Sequence, residues 1–191
     1  MEEELLWKQL KAGRKSALEQ LYRSHAEALL LYGRKFSPDG QLVEDAVQDL
    51  FVELWQNREK LSQVSSVRSY LLVALRRRII RQMDRQLRRE SPEEASEQLF
   101  EVEISIDEQI ASQELTAEQH KQLNQALQEL STRQKEALYL KYQLNMKYED
   151  ICQVMDINYQ SVRNLVASAL KRVKQLMARG WWPIIFYFLI R

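Results

Sequence analysis

The chain has 191 residues and a formal net charge of +1, with four glycines, three prolines and one cysteine. That length admits one or two domains, and the scarcity of Gly and Pro beside abundant Leu, Gln, Glu, Arg, Lys and Ala describes a helical protein. Cys152 alone excludes an internal disulfide, and His25 and His120, isolated from one another, make no metal cluster.

The first residues, Met1 and three glutamates, lack the basic-then-apolar run of a secretory signal. The expectation is a cytoplasmic protein. Leu5, Leu6, Trp7 and Leu10 predict a short first helix, punctuated by Gly13. Ala17, Leu18, Leu21, Tyr22, Ala28, Leu29, Tyr32 and Phe36 continue at spacings of three and four, the signature of amphipathic helix. Ser37-Pro38-Asp39-Gly40 is a turn cluster. Leu42, Val43, Ala46, Val47, Leu50, Phe51, Leu54 and Trp55 predict a strongly periodic helix, with Glu44, Asp45, Gln48 and Asp49 on its other face. Residues 56–66 lose the period and read as a loop. A long helix comes next, from Val67 to Arg89, apolar at Tyr70, Leu71, Val73, Ala74, Ile79 and Met83.

Residues 90–106 carry one Pro, many acids and no clean period, so they read as a flexible linker. Periodicity returns near Ile110 and runs through Leu115, Leu123, Ala126, Leu127 and Leu130. Ser131 is placed to cap a helix from Thr132 to about Gln143. No segment alternates with period two for long enough to predict a strand. The predicted architecture is all-α: helical domains at 1–90 and 110–179, an acidic linker at 91–109, and an apolar tail at 180–191.

Charge is segregated along this plan. Arg76, Arg77, Arg78, Arg81, Arg85, Arg88 and Arg89 face one acid, Asp84. Glu90 to Glu118 holds ten acids and no Lys or Arg, and Gln119 to Arg179 turns basic again. Segregation on this scale points to surfaces that meet polyanions, with a polyanion-like strap between them.

The sharpest local pattern is 147–176. Tyr148, Ile151, Cys152 and Met155 stripe a short helix. Asp156-Ile157-Asn158 forms a tight connection in which Asn158 can cap a second helix. That second helix puts Val162, Leu165, Val166, Ala169, Leu170 and Val173 on one face. Gln160, Ser161, Arg163, Asn164, Ser168, Lys171 and Arg172 lie opposite. A short helix, tight turn and longer basic helix suit a DNA-reading helix-turn-helix. Arg, Gln and Asn can pair with purine edges, and the terminal cations can take phosphates. The bland alternative is a solvated face on a helical hairpin. Cys152 reads as a small buried apolar residue at the helix contact rather than a reactive thiol. In the arginine helix, three consecutive arginines cannot share one face, but Arg77, Arg81, Arg85 and Arg88 form a ridge. With Tyr70 nearby it suits an unpaired nucleic-acid strand. A solvated face, or pairing with the acidic linker, is the alternative.

In this order, the blocks from about Leu10 to Met177 resemble the extracytoplasmic-function group of bacterial sigma factors. The run Val43–Trp55 resembles the region-2 helix that docks on core RNA polymerase, which would put Asp45, Gln48 and Asp49 against the polymerase clamp. The run Ser69–Ile80 resembles the helix that melts and reads the −10 element. The resemblance implies single-stranded −10 contacts from Arg76, Arg77, Arg81 and Arg85, and a flipped base held at Leu61, Ser65 and Ser66. Leu127–Leu138 and the helix-turn-helix resemble region 4, implying −35 duplex contacts from Gln160, Ser161, Arg163, Asn164, Ser168, Lys171 and Arg172.

The family has no large domain between these regions, and this chain has only the acidic linker there. The linker would act as an RNA-like strap in a positively charged polymerase channel. Three positions depart from the pattern: relatives carry Asn near Arg77, Gly at Asp156, which tolerates a left-handed backbone, and a basic residue at Ser168. The implied function is a sigma factor that directs polymerase to promoters, with no catalysis, cofactor or metal of its own. Its implied partners are core polymerase, promoter DNA and an anti-sigma factor.

The tail, Trp181–Ile190, lies outside the family pattern and is about half the length of a bilayer-spanning helix. Packing on region 4, a partner contact and a membrane surface all fit it. Two rival classes remain at this level: a helix-turn-helix regulator independent of polymerase, which leaves the first-domain helices unexplained, and a helical adaptor whose basic faces pair with its own acids.

Overall fold

Among the described residues, apolar side chains that recur at three and four lie on helices. The computed structural model describes residues 2–90, 100 and 117–176, and the predicted acidic linker apart from Phe100, the periodicity near Ile110 and the apolar tail lie outside them. The chain divides into two compact units, Met1–Leu99 and Phe100–Arg191. The described residues are helical with irregular connections, and no strand occurs among them.

The first unit contains α1 (Glu2–Lys11), α2 (Lys15–Gly33), α3 (Gly40–Gln56), a 3-10 turn (Arg58–Lys60) and α4 (Val67–Glu90). Gly13 ends α1 at φ +80°, a left-handed conformation that costs glycine nothing. Around it the Arg14 N–H reaches the Gln9 carbonyl at 3.0 Å and the Gly13 N–H the Leu10 carbonyl at 2.9 Å, a Schellman closure. Asp39 caps α3, its carboxylate accepting from the Gln41 and Leu42 N–H groups at 3.0 and 3.1 Å. Ser66 does the same for α4, accepting from the Ser69 N–H at 3.2 Å.

The core gathers Trp7 and Leu10 from α1, Leu21, Leu29 and Tyr32 from α2, Val43, Val47 and Leu54 from α3, and Leu71, Leu75 and Ile79 from α4. Each aliphatic side chain so withdrawn from water contributes about 1.5–3 kcal/mol. A half-exposed surface pair such as Arg34–Glu44 contributes about 0–1 kcal/mol, so burial holds these helices together. Leu5 of the predicted stripe stays exposed, and so does Tyr22, whose ring stands edge-on to Phe51.

The second unit contains α5 (Ala117–Gln128), α6 (Thr132–Leu138), α7 (Tyr148–Met155) and α8 (Tyr159–Leu176). Ser131 caps α6 in a reciprocal box: its hydroxyl accepts from the Gln134 N–H at 3.3 Å while Gln134 Oε1 accepts from the Ser131 N–H at 3.0 Å. The helix predicted to reach Gln143 instead widens at Tyr139–Gln143 into a π turn. Lys141 Nζ reaches the Met146 carbonyl at 3.2 Å and steadies the exit. Phe100, inside the stretch predicted as linker, is buried with its ring edge-on to Tyr139 at 5.8 Å. No helix among the described residues is long and apolar enough to cross a membrane.

Candidate nucleic-acid interface

On α3, the polar face Asp45, Gln48 and Asp49 is exposed. Asp45 Oδ1 accepts from Gln41 Nε2 at 2.8 Å. Asp49 is held differently: Arg78 Nη1 of α4 lies 3.3 Å from its Oδ2, while Nη2 of the same guanidinium pairs with Glu53. Val52 stands exposed one turn beyond Asp49, an apolar member of the face that periodicity alone did not single out.

The three consecutive arginines splay as a helical period of 3.6 requires. Arg77 and Arg81 are exposed one turn apart, Arg76 is half-buried, and Arg78 turns back to α3. Arg85 and Arg88 continue α4, but their side chains lie outside the described set.

The loop ahead of α4 is braced from α1. The Trp7 indole N–H donates to the Ser62 carbonyl at 3.0 Å, and the Trp7 ring meets Tyr70 edge-on at 5.1 Å. Arg58 lies 4.6 Å over the Trp55 ring and donates to the Trp55 carbonyl at 2.9 Å. Leu61 is half-buried and Ser65 exposed, whereas the Ser66 hydroxyl is engaged as the α4 cap and also accepts from Ser69 Oγ at 2.9 Å. Burial, with Glu53 nearby, raises the Tyr70 hydroxyl above the ordinary tyrosine pKa, so Tyr70 is neutral and packs on Trp7.

On the buried face of α2, His25 is 5% exposed, with Nε2 3.4 Å from Glu3 Oε1 and without a hydrogen-bond partner at that nitrogen. Burial lowers its pKa, Glu3 opposes that, and Arg68 reinforces it. Its role in the core was not visible from the apolar pattern, which passes over histidine.

In the second unit, α7 buries Ile151, Val154 and Met155. Cys152, predicted to be buried, is instead half-buried at the edge of this face, because the i, i+3, i+4 set centred on Val154 takes the contact with α8. Burial, ahead of opposing backbone hydrogen bonding, raises its thiol pKa, which favours the protonated form over the reactive thiolate. Asp156 adopts φ 55°, ψ 49°, and the Asn158 side chain accepts from the Ser161 N–H at 2.8 Å, starting α8 at Tyr159.

Helix α8 buries Val162, Val166, Ala169 and Val173 and turns the other face outward. Gln160, Arg163, Asn164, Ser168, Lys171 and Arg172 are exposed, and Ser161 is half-buried. Gln160 Nε2 donates to Asn164 Oδ1 at 2.9 Å, which sets the two amides side by side. Ser168 Oγ accepts from Gln134 Nε2 at 2.9 Å and donates to the Leu165 carbonyl at 3.0 Å. Arg172 reaches Glu129 at 3.2 Å. The helix carries Arg163, Lys171, Arg172 and Lys174 and no acid. Tyr159, absent from the predicted contact set, is exposed at its first position.

Two family models match the chain in succession: "Sigma-70 region 2" over residues 21–89 and "Sigma-70, region 4" over residues 120–173. The chain belongs to the sigma-70 family. With only residues 90–119 between the two matches, it is an extracytoplasmic-function sigma factor, a protein of transcription initiation. Region 2 takes in α3, the loop and α4, and region 4 takes in the helix-turn-helix α7–α8.

Solved structures of similar fold include CnrH in complex with the cytosolic domain of CnrY, at TM-score 0.61 and 20% identity over 91% of this chain and 96% of that one. They also include the sigma factor RpoE in complex with the anti-sigma factor NepR from Bartonella quintana, at TM-score 0.58 and 22% identity over 83% and 94%. No curated protein matches the chain. Among the described residues of this sigma factor, no cluster of His, Cys, Asp and Glu could hold a metal ion.

Proposed function

We propose that this sigma factor binds core RNA polymerase through the α3 face, captures the unpaired −10 strand with α4 and the loop before it, and reads −35 duplex with α8. In this reading Asp45, Gln48 and Asp49 meet the polymerase. Leu61 and Ser65 border a flipped base, with Ser66 setting the start of α4 beside them. Arg76, Arg77, Arg81 and Arg85 follow the strand phosphates. Opening and flipping cost a few kcal/mol, which the arginines and the base pocket offset. Gln160, Arg163 and Asn164 address base edges, while Lys171 and Arg172 take phosphates. Polymerase supplies all the chemistry.

The observation that carries the reading is one chain bearing a region-2 match with exposed Arg77 and Arg81, followed by a region-4 match whose second helix holds four cations and no acid. The acids between Glu90 and Glu118 suit a strap that mimics RNA phosphates on the polymerase. The related folds were solved with CnrY and with the anti-sigma factor NepR, which favours a comparable inhibitory partner here. The site of action is then the cytoplasm.

Run-off transcription tests the proposal. Core polymerase with this chain should initiate at defined promoters that core alone ignores. The double variant Asp45→Lys, Asp49→Lys should lose polymerase binding, whereas Arg163→Ala should keep it and lose −35 preference. Specific duplex binding with no promoter-specific initiation would instead identify a regulator independent of polymerase.

A further inference from the structure

Tyr159 is the one aromatic side chain of α8. It occupies the first helical position, directly after the Asn158 cap, and remains 44% exposed although it is large and aromatic. Its ring stands edge-on to Tyr148 of α7, with centroids 5.7 Å apart and planes at 66°. Tyr148 in turn lies under the Lys141 ammonium, 4.7 Å from the ring centroid. The chain thus braces one ring with a second ring and a cation, and still presents it to solvent. Bracing lowers the entropy that would be lost on immobilising the ring against a partner.

The polar residues that follow Tyr159 on α8 include amide and cationic side chains. Gln160 is next to it in the chain, Arg163 lies one turn on, and α8 contains no acid. In a helix-turn-helix, the N-terminal residues of the second helix approach base edges in the major groove. Hydrogen bonds read most of that groove, but its apolar feature is the C5-methyl group of thymine. An ordered aromatic face is suited to that group. It gains nothing comparable from cytosine, which has no methyl there.

We propose that Tyr159 is a specificity residue that reads a thymine methyl at one edge of the −35 element. This rests on the reading of α8 as the −35 helix.

The test uses the full chain assembled with core polymerase, and a −35 site that this complex selects from a random duplex library. Each thymine of the selected site is replaced singly by deoxyuridine, which deletes only the methyl. At one position the wild-type complex should bind about fourfold more weakly, the effect of one buried methyl. Tyr159→Phe should show the same loss. Tyr159→Ala should bind the thymine and uracil duplexes alike at that position. The assignment is overturned if no uracil substitution weakens wild-type binding, or if wild type and Tyr159→Ala lose equally. It is also overturned if Tyr159→Phe behaves like Tyr159→Ala, which marks a hydroxyl contact. If the wild-type complex selects no −35 sequence at all, the reading of α8 fails first and takes the assignment with it.

Discussion

Gly33 offers the cleanest test of how region 2 is assembled. It is the last residue of α2, where that helix passes against α3 and α4. A Cβ there would stand 2.6 Å from Val43 Cγ1, 3.1 Å from Ile79 Cδ1 and 3.7 Å from Leu75 Cδ2. Val43 and Ile79 are fully buried, and valine is stiff about χ1, so neither can swing aside into solvent. Forcing a methyl into such a site costs about 1–3 kcal/mol. Against this, Gly→Ala inside a helix gains up to about 1 kcal/mol, and less at the final residue.

The net expectation for Gly33→Ala is a loss of about 1–2 kcal/mol. For a unit of this size that lowers Tm by roughly 5–12 °C. Scanning calorimetry of the full chain should show one transition moving and the other staying in place. Val43→Ala is destabilising by itself, but it empties the space the new methyl needs. The double variant should therefore be more stable than the sum of the singles predicts, by about 1 kcal/mol. An unchanged or raised Tm in Gly33→Ala, or strict additivity with Val43→Ala, refutes the close-approach argument. The consequence reaches function, because the helices that Gly33 lets approach are the ones carrying the proposed polymerase and strand faces.

Two further outcomes rest on local chemistry. Burial holds His25 below the ordinary histidine pKa, with Glu3 of α1 opposing and Arg68 of α4 reinforcing the shift. The unfolded chain then takes up the proton first, so stability of the first unit falls as pH drops below about 6.5 and keeps falling until the folded form protonates as well. Thermal melts of His25→Gln should show a flatter pH dependence than wild type in that window, and parallel curves would contradict this linkage. Asn158→Ala removes the acceptor for the Ser161 N–H and should cost the second unit about 1 kcal/mol. A chemical-denaturation series that leaves the second unit unchanged would show the cap to be dispensable.

The legible part of this protein was whatever depends on neighbours within a turn or two. Ser131 and Asn158 cap helices because a side-chain oxygen reaches an N–H three residues on. Asp156, two residues before Asn158, turns left-handed, as its residue type permits. The splay of Arg76, Arg77 and Arg78 comes from helical period alone. The missed part joins residues far apart in the chain. Arg78 pairs with Asp49 across 29 positions, Trp7 holds the Ser62 carbonyl across 55, and Gln134 reaches Ser168 across 34. A periodic pattern reports that a face is apolar and says nothing about what covers it. Cys152 shows the limit in a small way: it lies on the predicted stripe, yet the set centred on Val154 occupies the helix contact.

The sequence by itself determined that the chain is helical, that its charges fall in opposed blocks, and that region 2 and region 4 come one after the other. Those properties are written in residue type, spacing and order, which survive without a fold. Only the tertiary structure decided which arginine of the basic run faces α3 and which face solvent. It alone showed that the hydroxyls of Ser66 and Ser168 are bonded to other groups of the same chain, and that Tyr159 is braced by Tyr148 at the head of α8. The physical reason is that a side chain's availability depends on the partners packed around it, and those partners come from distant parts of the chain.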